Sequence, residues 1–195
     1  MALTLIVPTY RRPEVVRCLD SVQRQSLAEF EVLLVDNAAD DDLRATVQAY
    51  NRTARVPVRY VAEPDLGLHN ARHAGVRVAT GDVLVFTDDD ASFDPDWLAA
   101  FAARFAEHPE MVAAGGPVRP IWETPPPTWL VDFMADYPEM FPVLSVMEPY
   151  HEFRLGSDGW FFGVNMAIRR SALVEMGAST PTRSGRCGWA TARPA

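Results

Sequence analysis

Gly81-Asp82-Val83-Leu84-Val85-Phe86-Thr87-Asp88-Asp89-Asp90 decides how the rest of the chain is read. Val83 to Phe86 are four apolar residues without polar alternation, the pattern of a short strand covered on both faces. Three carboxylates follow at its C-terminal end. Adjacent like charges disfavour one another's ionisation. A hard divalent cation relieves that cost, and Mg²⁺ is usually held by one or two carboxylates plus substrate phosphates. The stretch therefore points to a metal–diphosphate site at a strand tip. The plainer reading is a solvated acidic turn leading to a helix capped at Asp94-Pro95. The flanking sequence has to choose between the two.

Strand and helix patterns alternate on either side. Upstream, Leu3 to Val7 reads as a buried strand closed by Pro8. Pro13 opens a helix with the stripe Val15, Val16, Leu19, Val22. Glu31 to Val35 is a second strand, ending at Asp36-Asn37. Asp40 to Asp42 open a helix with Leu43, Val47 and Tyr50 as its apolar positions. Val58 to Val61 is a third strand, and a helix follows from Leu68 to Ala79. Downstream, Pro95 to Glu107 is helical, with Trp97, Phe101 and Phe105 on one core-facing stripe. Met111 to Ala114 is a fifth strand, ended by Gly115-Gly116-Pro117.

This alternation predicts an α/β fold, a mostly parallel sheet with helices on both faces. Such sheets bind ligands at the carboxyl ends of their strands. Those ends carry Pro8-Thr9-Tyr10, Asp36-Asn37 and Asp88-Asp89-Asp90, so polar residues gather on one edge. Neither a G-x-G-x-x-G turn nor a Walker A loop is present, so phosphates would need a metal, which the acidic triplet can supply.

The second half changes character. Gly116 to Pro127 holds five prolines and reads as an irregular, site-covering segment. Thr128 to Met134 reads as a short helix, and Pro138 to Pro149 is again broken by prolines. Trp160 to Ile168 reads as a strand, followed by a helix ending near Gly177. Trp160, Phe161 and Phe162 fit a core better than a sugar-stacking platform. Asp158 fits a turn. His69 and His73 lie at i, i+4 but lack a third ligand, which makes them surface residues.

Composition narrows the function. A chain of 195 residues suits one domain, and 48% hydrophobic with 23% charged residues is ordinary for a globular protein. The net charge of −8 argues against coating a nucleic acid. Cys18 and Cys187 are too few for a disulfide framework or a cysteine metal cluster, so a reducing cytosol is the default. The N-terminus lacks the basic lead and long apolar region of a signal peptide. No apolar run approaches the ~20 residues of a membrane span.

The motifs together resemble a known group. Val7-Pro8-Thr9-Tyr10-Arg11-Arg12, Val35-Asp36-Asn37, Asn70-Ala71-Arg72-His73-Ala74-Gly75, Phe86-Thr87-Asp88-Asp89-Asp90 and Gly163-Val164-Asn165-Met166-Ala167-Ile168-Arg169-Arg170 occur in the order seen in family-2-type glycosyltransferases of the GT-A fold. The resemblance spans about Leu3 to Gly177. It implies a GT-A domain over 1–177, with a nucleotide-binding half over about 1–116 and an acceptor-side half over about 117–177. It implies that Pro8, Thr9 and Tyr10 line the nucleotide pocket, that Asp36 contacts a uracil, and that Arg72 approaches the nucleotide. Asp88 is similar to the family's ribose-contacting carboxylate, and Asp89 and Asp90 to its metal-binding DXD-like pair. Gly163 and Asn165 fall in the segment bordering the donor sugar and acceptor.

The implied chemistry is inverting transfer from a nucleotide diphospho-sugar, UDP-linked, to a hydroxyl of a carbohydrate or lipid-linked acceptor. Mn²⁺ or Mg²⁺ is the implied cofactor, polysaccharide biosynthesis the implied setting, and the cytoplasm, at the inner face of the membrane, the implied location. The family's catalytic base usually lies beyond the Gly-x-Asn segment, whereas nothing after Glu175 is acidic. The stretch 178–195 reads as a disordered or aberrant tail, from truncation or a frame shift near Gly177. The alternative function is therefore a sugar-nucleotide-binding domain without turnover. A sugar-phosphate nucleotidyltransferase would need a Gly-rich signature after the first strand. An aspartate-based phosphotransferase would need Asp-x-Asp there. Pro8-Thr9-Tyr10 fits neither.

Overall fold

The computed structural model describes residues 1–12, 15–137, 140 and 162–178. Its six strands are β1 (Leu3–Thr9), β2 (Glu31–Asp36), β3 (Val58–Ala62), β4 (Val83–Phe86), β5 (Ala113–Gly115) and β6 (Met166–Arg169). Its helices are α1 (Val15–Gln23), α2 (Asp41–Tyr50), α3 (Leu68–Val78), α4 (Trp97–Glu107), α5 (Thr128–Asp136) and α6 (Arg170–Glu175). The strands form one sheet in the order β3-β2-β1-β4-β6-β5. β1 to β4 are parallel, and β6 runs antiparallel to both β4 and β5. The expected mostly parallel sheet is the observed one.

β4 sits inside it because its side chains feed two cores. Val83 and Val85 join Cys18, Leu19, Val22, Val47, Leu98 and Phe105 on the α1/α2/α4 face. Leu84 and Phe86 join Ala71, Ala74 and Leu173 on the α3/α6 face. Each fully buried Val, Leu or Phe contributes roughly 1.5–3 kcal/mol, so such a strand cannot move to an edge cheaply. The backbone of α3 lies close on β1 at Gly75, where an added Cβ would stand 2.5 Å from Ile6 Cγ2.

Three strand boundaries differ from the sequence reading by two residues or more. β1 does not close at Pro8 but runs through it to Thr9. Thr9 O accepts from Asn37 N on the β2 side, and Ile6 O accepts from Thr87 N on the β4 side. By alternation Pro8 faces the β4 side, beyond the last β1–β4 pair at Ile6 and Phe86, so its missing N–H costs no ladder bond. β5 begins at Ala113 rather than Met111. The last strand is shorter than Trp160 to Ile168: Asn165 N donates to Phe162 O at 3.0 Å, a turn, and pairing starts at Met166. Trp160, Phe161, Asp158, most of the proline-broken stretch and all of the tail except Ala178 lie outside the described residues.

The helix ending near Gly177 does so for a local reason. Gly177 takes φ 81°, Gly177 N donates to Val174 O, and Ala178 N donates to Leu173 O. That is a Schellman close, with buried Ala178 packed beside buried Leu173 in one cluster.

Candidate active site at the tip of β4

Parallel pairing brings the C-terminal ends of β1, β2 and β4 side by side. Thr9 is the register partner of Asp36, and β4 flanks β1 on its other side. The acidic triplet projects from this edge, and each carboxylate meets a different partner. Thr9 Oγ1 donates to Asp89 Oδ2 at 2.7 Å. Arg72 Nη2, from α3, donates to Asp88 Oδ1 at 3.1 Å. Arg12 Nη1 donates to Asp90 Oδ2 at 2.9 Å, and its Nε stands 3.9 Å from Asp89 Oδ1. The repulsion expected within the triplet is thus partly offset by two guanidiniums, leaving one net negative charge from three carboxylates and two cations.

The Asp88 carboxyl is shifted chiefly by its burial. Burial pushes its carboxyl up, Arg72 pulls it back, and Asp90 and Asp89 push it up again, for a net rise above its ordinary value. The same charges act on Cys18, whose Sγ donates to Asp88 O at 3.7 Å. Burial first, then the acids, pushes that thiol up to about 12, so it is a packing group rather than a nucleophile.

Gly163 belongs to this cluster through Arg72. A Cβ at Gly163 would stand 2.7 Å from Arg72 Nη2 and 2.8 Å from Nη1, so the guanidinium lies directly against the glycine backbone. Arg72 Nε and the Thr87 hydroxyl, both flanking Asp88, are buried without a hydrogen-bond partner. Buried polar groups are normally satisfied, so both of these would take a further hydrogen bond. Tyr10 is exposed at the same edge, with the Arg11 guanidinium 5.4 Å from its ring centroid, and Pro8 is buried below.

Two other expected site residues have partners within the frame. Asp36 is fully buried: Oδ1 accepts from Ala38 N, and Oδ2 accepts from Asp40 N and Tyr60 OH. It fastens the loop between β2 and α2. Asn165 accepts from Trp97 Nε1 at 2.8 Å through Oδ1 and donates to Pro117 O at 2.8 Å through Nδ2. Its side chain ties α4 to the chain after β5. Arg12 is the cluster residue that spacing did not single out. Its signal was a basic pair, Arg11-Arg12, just after one strand tip, with a matching acidic run after another.

The donor set fits a divalent cation of restricted kind. Among the described residues, no three His, Cys, Asp or Glu side chains are grouped to hold a metal ion, His69 and His73 included. Asp89 and Asp90 are adjacent hard-oxygen donors, and two carboxylates would suit an ion whose remaining positions are filled by phosphates and water. A groove of about 880 Å³ lies at the opposite end of the sheet, between Met1, Asp82, Phe105, Arg169 and Val174. Arg169 there is engaged by the carbonyls of Met111, Phe105 and His108, and Asp82, Arg170 and Glu175 also line the groove, which has no run of adjacent acids like that of the β4 tip.

The sequence model of glycosyl transferase family 2 matches residues 4–177. The chain belongs to that family. A glucosyl-dolichyl phosphate glucuronosyltransferase of Haloferax volcanii is 26% identical over 196 residues, covering 96% of this chain and 58% of the relative. The succinoglycan biosynthesis protein ExoM of Rhizobium meliloti is 29% identical over 185 residues, covering 93% and 56%. This family 2 chain thus spans little more than half the length of these relatives. Among solved structures, a mannosyltransferase from Pyrobaculum calidifontis in complex with GDP-Man and Mn²⁺ superposes with a TM-score of 0.65 at 26% identity, over 90% of this chain and 46% of that one. S. aureus TarS in complex with UDP superposes at 0.66 and 21% identity, over 90% and 48%, a likeness of fold. The family 2 chain therefore has the Rossmann-like GT-A sheet. Among the described residues no helix is long and apolar enough to cross a membrane.

Proposed function

We propose that this domain binds a UDP-linked sugar at the tip of β4 and transfers the sugar, with inversion, to a hydroxyl of a carbohydrate or lipid-linked acceptor. The observation that carries the reading is the convergence of Thr9, Arg12, Arg72, Gly163 and the three acids on one sheet edge. The likeness to a mannosyltransferase in complex with GDP-Man and Mn²⁺ supports it.

The chain's own residues divide the work. Pro8, Thr9 and Tyr10 border the nucleoside, and Asp36 acts by holding the loop Ala38–Asp40 beside them. Asp89 and Asp90 would hold Mn²⁺ or Mg²⁺, and Thr9 orients Asp89 for that role. The cation, when bound, offsets charge developing on the leaving diphosphate. Arg72 supplies a guanidinium for a phosphate oxygen, and Gly163 leaves the space it occupies. The half over 1–116 provides this donor site, and the half over 117–177 borders the acceptor through Gly163 and Asn165. The acceptor oxygen bonds to the anomeric carbon as the bond to the phosphate oxygen breaks. Nucleoside diphosphate leaves, and the hydroxyl proton passes to a carboxylate base. The acids at the β4 tip are all engaged by Thr9, Arg12 or Arg72, which also supports the binding-only alternative.

Calorimetric titration with UDP, GDP and ADP, with and without Mn²⁺, tests the reading. UDP should bind, and only with Mn²⁺. Binding by none of the three would overturn the donor site, and a preference for GDP would replace the base assignment. A turnover assay with the matching sugar nucleotide separates transfer from binding alone.

A further inference from the structure

We propose that Arg12 is a displaceable counter-cation, which holds the place of the divalent ion and gives it up when metal and nucleotide arrive together. The inference rests on the donor-site reading. It concerns what the apo protein does with two carboxylates that need a cation.

The geometry is that of an exchangeable pair. Arg12 bonds Asp90 at 2.9 Å and stands 3.9 Å from Asp89, so one guanidinium serves both of the acids that suit a metal. Its side chain is 53% exposed and that of Asp90 49%, whereas Asp89 is 10% exposed. An exposed pair contributes little and breaks easily, unlike a buried one. The chain reaches this position through a turn that is itself strained. Arg11 has φ 53°, the left-handed region that a non-glycine residue rarely enters. The turn brings Arg12 from the end of β1 to an acid 78 residues away.

A metal on Asp90 would set a second cation beside the guanidinium, and the two would repel. That repulsion favours Arg12 swinging outward, and its exposure permits that. The nearest new partner is the diphosphate that the metal carries, which guanidinium binds well. Metal alone therefore has to displace Arg12 unaided, whereas metal with nucleotide offers Arg12 a replacement. The result is coupling: each ligand raises the affinity of the other.

Arg12→Gln removes the competitor while leaving the acids in place. In the full chain without nucleotide, Mn²⁺ should bind the variant about threefold to fivefold more tightly than wild type, as expected for removing an exposed pair. In saturating Mn²⁺, UDP should bind about threefold to tenfold more weakly, because a charge-assisted bond to phosphate is lost. Arg12→Lys keeps a positive charge and should stay within about twofold of wild type for Mn²⁺. Melting temperature is read on the same samples and should barely change. Unchanged or weaker Mn²⁺ binding by Arg12→Gln overturns the proposal. So does a collapse of its melting temperature, which would make the pair a structural tie. UDP binding to wild type reads the donor site separately. If it is present while Arg12→Gln fails to tighten Mn²⁺, only the counter-cation role falls. If wild type binds neither ligand, both readings fall together.

Discussion

The tips of β2 and β4 carry the same kind of side chain on the same edge of one sheet, and they are built in opposite ways. Asp36 is fully buried, and its acceptor bonds come from two backbone N–H groups and a tyrosine hydroxyl. Asp88, Asp89 and Asp90 are met by the side chains of Thr9, Arg12 and Arg72, and Asp88 and Asp90 remain 41% and 49% exposed. Backbone donors cannot leave without unfolding a loop. Side-chain cations can rotate away. An acid at a strand end is thus a frame residue or a ligand residue according to what satisfies it, and the acid itself does not tell which.

The contrast can be broken at the β2 tip first. Asp36→Ala leaves Ala38 N, Asp40 N and Tyr60 OH without their acceptor in a buried place, and should cost about 3 kcal/mol or more of stability by denaturant unfolding. Burial and then the Asp36 bond push the Tyr60 hydroxyl up to about 12, so in this variant it should titrate at lower pH. A loss under about 1 kcal/mol would mean that the β2 tip is not sealed as described.

At the β4 tip the same chemistry should move binding instead. Asp89→Asn keeps an acceptor for Thr9 and removes one charged ligand. UDP affinity in Mn²⁺ should fall about tenfold to a hundredfold, a range common when the surroundings of a metal ligand are disturbed. Metal-free stability should change by less than about 1 kcal/mol, because like-charge repulsion is relieved as one acid is removed. A large stability loss would move Asp89 to the frame class beside Asp36.

The smallest effect sharpens the boundary between the classes. Gly163→Ala presses a Cβ on the far end of a flexible side chain, so Arg72 can shift and the fold should lose under about 1 kcal/mol. The shifted guanidinium should weaken UDP binding about threefold to tenfold in the same calorimetric assay. Unaltered UDP binding would remove Arg72 from the donor site.

Much of this architecture was legible because it depends on local pattern. Val83 to Phe86 reads as a covered strand from four residues, and the alternation of elements sets the sheet type and the edge that carries the site. The helix stop at Gly177 needs only its own turn. What was not legible depends on partners far along the chain. Asp36 is sealed by Tyr60, 24 residues on, and Asn165 is consumed by Trp97, 68 residues back. The antiparallel course of β6 is equally invisible, since a strand's direction in a sheet is set by its connections rather than by its residues. Pro8 misled because a proline ends a strand only where its missing N–H faces a neighbour. Arg12 stood in the sequence only as part of the motif after β1, and only the fold brings it to Asp90.

The claim that the β4 tip holds the donor is tested most directly by paramagnetic broadening in the NMR spectrum of the whole chain, on adding UDP with Mn²⁺. The two ends of the sheet lie about 20 Å apart along β1, at about 3.3 Å per residue, so broadening discriminates between them. The amide signals of Thr9, Asp88 to Asp90 and Gly163 should broaden first, and those of Asp82, Arg169 and Val174 around the opposite groove should stay sharp. Broadening centred on that groove, or none near Asp89, would contradict the assignment.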